Sequence, residues 1–307
     1  MSAWWMRNRR LALQSAGTLL AVVLLVVLLR DGGWDEIITA FRTIKTADLI
    51  WVALLFLISR LATVGRWHVL LRSGGINIRF RDSMSLTFTG LFASNFLPTT
   101  IGGDVVRLAG AMQMGFDRAV CLASIAADRL IGMAGMTMVL PVGVVHSWSL
   151  LETLPASFST VAWLRRPLAF LKRTFSVFSL WLNKPASLLG SLAFTWIHML
   201  CLFGSIYIFA DDLGIHTSFW MIAGLWSLTY FITLIPISVN GYGLQELSFT
   251  FFMTNVAGWT PGVSLSVAVL IRAFSILASL PGALFLPSIL AVMAEQKRDT
   301  SSGEILL

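Results

Sequence analysis

Eight charged side chains lie within stretches of sequence that are otherwise apolar. They are the cations Arg60, Arg66, Arg107, Arg129 and Arg272 and the acids Asp104, Asp128 and Glu246. Each would cost roughly 2.5–3.5 kcal/mol at the centre of a helix that faces lipid. The eight would together cost about 20 kcal/mol or more, which rivals the stability of a whole domain. We therefore expect them to pair, to line a wet cavity or to lie near the membrane surface.

The surplus of cations over acids suggests the chemistry of a site. Five arginines stand against three acids, and a guanidinium group matches the oxygens of a phosphate with two parallel hydrogen bonds. An anionic headgroup, above all a phosphate, would suit such a site. The competing interpretation is structural, because the same charges can form buried ion pairs that hold helices together.

Composition favours a bilayer as the solvent of this chain. Apolar residues make up 57% of the 307 positions and only 12% are charged, against about 25% charged in a soluble domain. No polar stretch is long enough to form a soluble catalytic domain. The formal charge of +7 is distributed as expected for cytoplasmic loops, so we do not expect a nucleic-acid partner.

The sequence contains no recognisable motif for metal binding, cofactor binding or catalysis. The two cysteines, Cys121 and Cys201, lie in apolar segments, and the chain has no CxxC motif or His/Cys cluster. There is also no Walker motif and no HExxH. We therefore expect no metal, no cofactor and no enzymatic activity, and an ATP-driven pump only if a partner supplies the motor.

Six apolar runs are predicted to cross the membrane completely, since each can cover the ~20 residues that a hydrocarbon core requires. The run at 147–164 is the weakest of them because it contains Glu152 and Pro155. The first run resembles a signal peptide, but no small-x-small cleavage site follows it, so we expect it to be retained. The predicted spans are 11–29, 49–71, 119–145, 147–164, 187–210 and 263–293.

Two further apolar segments, 84–101 and 218–237, end in motifs that break helices. The first motif reads NFLPTTIGG from Asn95, and the second reads TLIPISVNG from Thr233. Their prolines, Pro98 and Pro236, are 138 positions apart, and the same offset aligns the spans around them. We predict an internal repeat, with one copy at about 1–145 and the other at about 147–293.

Basic residues predict the orientation of the chain, because cytoplasmic loops are rich in Lys and Arg. Such residues precede the first span, follow the second and follow the last. This places both termini in the cytoplasm, with a tail at 294–307, in a plasma (inner) membrane. The segment 165–184 spaces apolar residues at helical intervals between cations, so it is predicted as an amphipathic helix on the cytoplasmic leaflet.

These elements together predict an all-α polytopic membrane protein that forms a single transmembrane domain over 1–307. It has about six full spans and two re-entrant, broken-helix hairpins that enter from opposite sides as an inverted repeat. Inverted repeats with broken helices are a transporter architecture, and their substrate site lies at the repeat interface near the midplane.

The predicted headgroup site takes its residues from both breaks and from the helices that follow them. Asp104 and Arg107 should share a helix face, and Arg129 and Arg272 should pair with the acids across the repeat interface. Gly243 is a predicted helix break, like the two prolines, and Arg60 and Arg66 are secondary candidates. The site residues are Asn95, Gly102, Gly103, Asp104, Arg107, Asp128, Arg129, Asn240, Gly241, Gln245, Glu246 and Arg272.

The motifs resemble those of the lysylphosphatidylglycerol synthase transmembrane (flippase-like) family over nearly the whole chain. The resemblance rests on NFLPxxxGGDxxR from Asn95, on Asp128-Arg129, on PISVNGYGxxE from Pro236, and on Arg272. The family usually has Glu-Arg where this chain has Asp128. In the best-known relatives a membrane half translocates aminoacylated phosphatidylglycerol and a separate domain synthesises it. This chain lacks room for the synthase part, so the resemblance implies the flippase-like half, with the lipid left open.

Three functions therefore remain as hypotheses. The first is a flippase-like transporter that moves an anionic or amphiphilic lipid between leaflets, such as a phospholipid, an aminoacyl-phospholipid, a polyprenyl phosphate or a glycolipid. The second is an intramembrane lipid-modifying enzyme that uses Asp104, Asp128 or Glu246 as a base. The third is an accessory subunit of a lipid- or glycan-synthesis complex. Membrane lipids are the expected partners, and a second copy of the chain or a biosynthetic enzyme is left open.

Overall fold

The computed structural model describes residues 34–97, 102–148, 184–235 and 238–285, and all the regular elements in these ranges are helices. The predicted span 11–29 and the tail 294–307 lie outside the described residues. So do Pro98, Pro236 and, apart from their ends, the predicted span 147–164 and amphipathic helix 165–184.

Nine α-helices and two short 3₁₀-helices follow one another in the described part of the chain. The 3₁₀-helices are Val239–Gly241 and Leu280–Leu284. The α-helices are α1 (Trp34–Thr43), α2 (Thr46–Ser73), α3 (Phe80–Ser94), α4 (Gly102–Gln113), α5 (Arg118–His146), α6 (Pro185–Asp212), α7 (Phe219–Thr233), α8 (Leu244–Asn255) and α9 (Pro261–Leu277).

Four helical segments in this part are long and apolar enough to cross a membrane: α2, α5, α6 and Pro261–Leu284. A helix of 28 residues, such as α2, is about 42 Å long, which exceeds a hydrocarbon core of about 30 Å. The predicted spans 49–71, 119–145 and 187–210 are therefore confirmed as helices of spanning length.

The last predicted run, 263–293, also corresponds to a segment of spanning length, Pro261–Leu284, and its residues 286–293 lie outside the described ones. Its α-helix, however, ends at Leu277 and a 3₁₀-helix follows. Pro281 has no amide hydrogen to donate to the carbonyl four residues earlier, so the α-helical pattern cannot continue through it. The sequence prediction counted apolar residues and missed this change.

Side-chain caps set the starts of three of the helices. Asp117 accepts a hydrogen bond from the Val120 amide at 2.9 Å at the start of α5, and Ser218 does the same for the Met221 amide at α7. Thr260 caps α9, where Pro261 takes the first helical position. These residue types satisfy amide groups that have no partner within the helix.

Helices α2 and α6 pack antiparallel along their whole length. Lys45, just before α2, contacts Asp212 at the end of α6 at 2.7 Å, and Lys184, just before α6, donates to the Ser73 carbonyl at the end of α2. The hydrogen bond and the charge of Asp212 raise the pKa of Lys45. At the midpoints of the two helices Ser59 Oγ lies 2.7 Å from His198 Nδ1.

Helices α3 and α4 form an antiparallel hairpin, hairpin 1. Gly102 lies beside Leu97, and Arg107 lies beside Gly90, so the two segments run in opposite directions. A Cβ on Gly103 would lie 2.3 Å from the Gly90 carbonyl oxygen, so glycine alone permits this approach. The glycines of the first break therefore serve close helix packing.

Helices α7 and α8 form a second antiparallel hairpin, hairpin 2. Gly241 faces Thr233 across the break, and further on Phe249 meets Trp226 with ring centroids 5.6 Å apart. Asn240, Gly241 and Gly243 all have positive φ angles, of 49°, 72° and 74°. Glycine adopts this backbone conformation without a steric penalty, which explains two glycines at this tip.

The lengths of the helices repeat along the chain. Both α2 and α6 have 28 residues, both α3 and α7 have 15, and both α4 and α8 have 12. A helix with an arginine in its middle part follows each set, since α5 carries Arg129 and α9 carries Arg272. In the described chain, the four helices α2–α5 (the first half) and the four helices α6–α9 (the second half) thus follow in the same order, and α1 lies outside this pattern.

The hairpins pack near different ends of the antiparallel pair α2–α6. Trp67 and Leu71, near the C-terminal end of α2, share a hydrophobic cluster with Leu86 of α3 and Val106 of α4. Phe219, at the start of α7, contacts Phe203 and Tyr207 in the C-terminal half of α6, beside the N-terminal half of α2. Hairpins 1 and 2 are therefore separated along the length of the α2–α6 pair.

The end of each half also packs on the hairpin of the other half. Gly143 of α5 meets Gly224 of α7, where an added Cβ would lie 2.3 Å from the Gly224 carbonyl oxygen. Gly282, after α9, meets the backbone of Phe88 in α3 in the same way. The two halves are thus joined by backbone contacts that exclude any larger side chain.

Gly143→Ala should lower the stability of the protein by about 1–3 kcal/mol, because the new methyl group would overlap the backbone of α7. The measurement is the midpoint of thermal unfolding in detergent. Gly190→Ala is the matched control, since it also lies in a spanning helix but its Cβ would have only one neighbour, at 4.0 Å. Equal midpoints for the two variants would show that the contact between α5 and α7 is not tight.

Candidate functional site

A cavity of about 290 Å³ lies where the two halves meet. Ser59 and Arg60 reach it from the midpoint of α2, and His198 reaches it from the midpoint of α6, so it lies at half the length of these spans. Its lining residues are Phe56, Ser59, Arg60, Leu91, Ser94, Asn95, Met136, His198, Leu202, Trp226, Tyr230, Asn240, Gln245, Arg272, Ser275 and Ser279.

The tips of both hairpins contribute to the wall of this cavity. Hairpin 1 supplies Ser94 and Asn95, and hairpin 2 supplies Asn240 and Gln245. Asn95 Nδ2 donates to Ser279 Oγ at 2.9 Å, which ties the first tip to the segment after α9. A movement of either hairpin would therefore change the shape of the cavity.

Arg60 brings a positive charge to the cavity without a counter-charge. Its Nη2 donates to the Ser275 carbonyl at 3.3 Å, whereas its Nε is buried and has no partner among the described residues. No described carboxylate lies within ion-pair distance of Arg60. A buried donor that is left unsatisfied is costly, so this guanidinium group is well suited to an anionic ligand.

Arg272, by contrast, is held and neutralised by hairpin 2. Its Nε donates to Glu246 Oε1 at 2.6 Å, and its Nη2 donates to the Gly241 carbonyl at 3.4 Å. Its guanidinium group lies 4.8 Å from the centre of the Tyr242 ring. Glu246 lies in the first turn of α8, where the helix dipole favours a negative charge.

A second group of charges forms a network within the first half, away from the cavity lining. Asp128 accepts from Arg66 Nε at 2.6 Å and from Arg107 Nη1 at 3.2 Å. The same Arg107 nitrogen also donates to Asp104 at 3.2 Å, and Asp104 accepts from Arg129 Nε. Three cations and two acids therefore share one continuous set of ion pairs.

Burial makes this network important for the stability of the protein. The side chain of Asp128 is only 3% exposed and that of Arg107 only 8%. The Arg107 guanidinium group also lies 4.0 Å from the centre of the Trp67 ring. Removal of one partner from such a buried pair leaves an uncompensated charge, which typically costs 3–5 kcal/mol.

The structure divides the predicted site residues into two groups. Asn95, Asn240, Gln245 and Arg272 line the cavity, together with the secondary candidate Arg60. The remaining residues do not line it. Gly241 and Glu246 hold Arg272, and Gly102 and Gly103 allow the close packing of hairpin 1. The other four form the ion-pair network with Arg66: Asp104, Arg107, Asp128 and Arg129.

The ion pairs differ from the expected pattern in one respect. Asp104 and Arg107 do pair, as their spacing predicts. Arg129, however, contacts Asp104 and Arg272 contacts Glu246, and in each pair the acid belongs to the same half as the arginine. The reason is that a short connection joins each hairpin to the helix after it, so the arginine of that helix lies beside the acid of its own hairpin.

Sequence reasoning missed His198 and its partner Ser59. Both are polar residues at the centre of apolar runs, and that position was the available signal. Arg66 Nη1 approaches Thr195 Oγ1 of α6 at 3.5 Å, so the network of the first half reaches the same helix as His198. Within the described ranges, no group of three His, Cys, Asp or Glu side chains could hold a metal ion.

Apolar helices of spanning length with ion pairs between them define a multi-pass helical membrane protein. The sequence model of the lysylphosphatidylglycerol synthase TM region matches residues 14–282, so the chain belongs to this family, which relates it to lipid handling. No curated protein shows a significant match to the chain.

Asp128→Asn should destabilise the protein by about 3–5 kcal/mol, because Arg66 and Arg107 would lose their shared counter-charge in a buried site. The shift of the unfolding midpoint in detergent measures this loss. Asp211→Asn is the control: its side chain is 55% exposed at the end of α6, and it should change stability by less than about 0.5 kcal/mol. Similar midpoints for the two variants would contradict a stabilising role of the network.

Proposed function

We propose that this protein moves an anionic or amphiphilic lipid between the leaflets of the membrane and binds its headgroup in the cavity between the two hairpins. The observation that carries the proposal is the position of Arg60, an arginine without a described counter-charge, in a cavity at half the length of the spans. A lipid that crosses a bilayer needs such a polar site at mid-depth, because its headgroup cannot enter hydrocarbon without compensation.

The lining of the cavity suits an oxyanion such as a phosphate. Arg60 supplies free donor capacity, and Arg272 adds donors in a fixed orientation. The side-chain amides of Asn95 and Gln245 can donate further hydrogen bonds. With Arg272 balanced by Glu246, the cavity keeps one positive charge for the ligand.

The size of the cavity supports a headgroup rather than a whole lipid as its occupant. Its volume of about 290 Å³ lies at the lower limit of the range for small-molecule sites, about 300–1,000 Å³. The acyl chains of a bound lipid would then stay in the bilayer while the headgroup moves past the hairpin tips.

We further propose that the two halves form an inverted repeat with re-entrant hairpins, which would open the cavity to each side in turn. Three contacts of the antiparallel pair α2–α6 support this: the Lys45–Asp212 and Lys184–Ser73 contacts at its two ends correspond to each other, and Ser59–His198 lies at its centre. A twofold axis through that central contact would exchange the halves and place the hairpins on opposite sides.

The pairing of the carboxylates supports transport without covalent chemistry. Asp104, Asp128 and Glu246 each accept from an arginine at short range. A carboxylate oxygen that is already engaged by an arginine is poorly placed to accept a proton from a substrate. The proposal is therefore a transporter rather than a lipid-modifying enzyme.

The test of this function is the movement of fluorescent lipids in vesicles that contain the purified protein, compared with protein-free vesicles. The panel should include phosphatidylglycerol, an aminoacyl-phosphatidylglycerol, a polyprenyl phosphate and a glycolipid. Arg60→Gln should slow movement of the transported lipid at least about tenfold, because the variant loses a charged hydrogen bond to the headgroup. Arg72→Gln, an exposed change at the end of the same helix, should leave the rate unchanged.

Three outcomes would count against this function. Absence of movement above the protein-free rate for every lipid in the panel would remove its basis. A chemically altered lipid in the mass spectrum would indicate an enzyme instead. Parallel loss of protein abundance and activity in Arg60→Gln would point to a structural role of the arginine.

The proposed orientation, in a plasma (inner) membrane, places the C-terminal end of α2 in the cytoplasm and the connection between α6 and α7 outside. In a variant that has Cys121 and Cys201 replaced by Ala, a single cysteine at His216 should react with an impermeant thiol reagent on intact cells. A cysteine at Arg79 should react only after permeabilisation. The reverse pattern would show that the orientation is the opposite one.

A further inference from the structure

His198 is a cavity-lining residue that the transport proposal does not yet use. Of the described residues around the cavity, it is the one whose ordinary pKa lies near physiological pH. It lies at the midpoint of α6, and its Nδ1 contacts Ser59 Oγ at 2.7 Å. Its position gives it access to the same space as the anion that Arg60 would bind.

The charged groups around His198 come from several helices. Helix α2 contributes Arg60 and also Arg66, which reaches Thr195 one turn from His198 and is balanced by Asp128 of α5. Helix α9 contributes Arg272, which is balanced by Glu246 of α8. Helix α7 contributes the phenol of Tyr230 to the same wall.

The charge that remains after these pairings is that of Arg60. Arg66 and Arg272 each have a carboxylate partner, whereas Arg60 has none among the described residues. In the empty cavity a second positive charge on the imidazole would be repelled by this guanidinium group. An anion in the cavity would cancel that repulsion and attract an imidazolium ion.

We propose that His198 takes up a proton when an anionic headgroup enters the cavity and releases the proton when the headgroup leaves. The movement of the anion is thereby coupled to the movement of a proton in the same direction. This inference rests on the proposed function, since it names the ion that accompanies the lipid through the same site.

The contact with Ser59 permits both protonation states of the ring. A hydroxyl group can donate to a neutral Nδ1 and can accept from a protonated one. The proton comes from water on the side to which the cavity is open, binds the unprotonated ring nitrogen, and returns to water on the other side. No other bond forms or breaks, and no other co-reactant is needed.

Thermodynamic linkage makes the coupling reciprocal. If the anion favours protonation of His198, then protonation must favour binding of the anion by the same factor. A proton gradient would then set the direction of lipid movement. The anionic lipid would collect in the leaflet that faces the more alkaline side.

The first test follows the protonation of His198 without any ligand. Protein with isotope-labelled histidine is placed in phosphatidylcholine nanodiscs, and the imidazole signals are recorded by NMR at several pH values. The signal of His198 is assigned from its loss in His198→Gln. Arg60→Glu places a negative charge in the cavity, Arg60→Gln removes the positive charge, and Arg60→Lys retains it.

We expect about tenfold more imidazolium at pH 6 in Arg60→Glu than in the unchanged protein, because a nearby opposite charge shifts such equilibria by about one pH unit or more. Arg60→Gln should show a smaller increase and Arg60→Lys none. The signals of His68, His146 and His216 should be the same in all four proteins and so report that the variants are folded. The same protonation of His198 in all four proteins would overturn the proposal.

The second test uses vesicles of phosphatidylcholine with a trace of fluorescent phosphatidylglycerol and an imposed pH gradient. The label should collect in the leaflet on the alkaline side, and a protonophore should abolish this asymmetry. An even distribution under the gradient, with movement still faster than in protein-free vesicles, would refute the coupling but leave the proposed function intact. Absence of any movement would count against phosphatidylglycerol transport, while the NMR result would still decide whether His198 responds to the cavity charge.

Discussion

A charge inside a membrane must be paired or solvated, and the described part of this protein is arranged around that constraint. Asp128 joins α5 to both α2 and hairpin 1 by accepting from Arg66 and Arg107. Glu246 joins α8 to α9 by accepting from Arg272. Because separation of desolvated charges is costly, these pairs hold the helices in one arrangement. Arg60 lines the cavity and has no acidic partner among the described residues.

The two halves of the chain use this constraint in similar but unequal ways. Asp104 is the third residue of α4 and pairs with Arg129 of α5, just as Glu246 is the third residue of α8 and pairs with Arg272 of α9. The positions that correspond to Arg107 and Asp128, however, hold Phe249 and Ile271, which are buried apolar residues. The first half is therefore held by charges at a place where the second half is held by apolar packing.

This inequality bears on the proposed transport. An ion-pair network and an apolar contact respond differently to water, because charges gain hydration when they separate whereas apolar surfaces lose stabilisation. The two sides of the cavity would thus have barriers of different physical kinds. The glycines that join the halves are Gly143, which meets Gly224, and Gly282, which meets the backbone of Phe88. They give each hairpin a close backbone contact with the opposite half.

The sequence by itself determined the helices of spanning length, the broken segments and the charges that need partners, because hydropathy, glycine and proline act locally along the chain. It also pointed to Asn95, Asn240, Gln245 and Arg272, which line the cavity. Only the tertiary structure decided which acid meets which arginine and that Arg60 and His198 line the same cavity. Those outcomes depend on which helices lie side by side and how each is rotated, and residues as distant in sequence as Ser59 and His198 become neighbours only when α2 and α6 pack along their whole length.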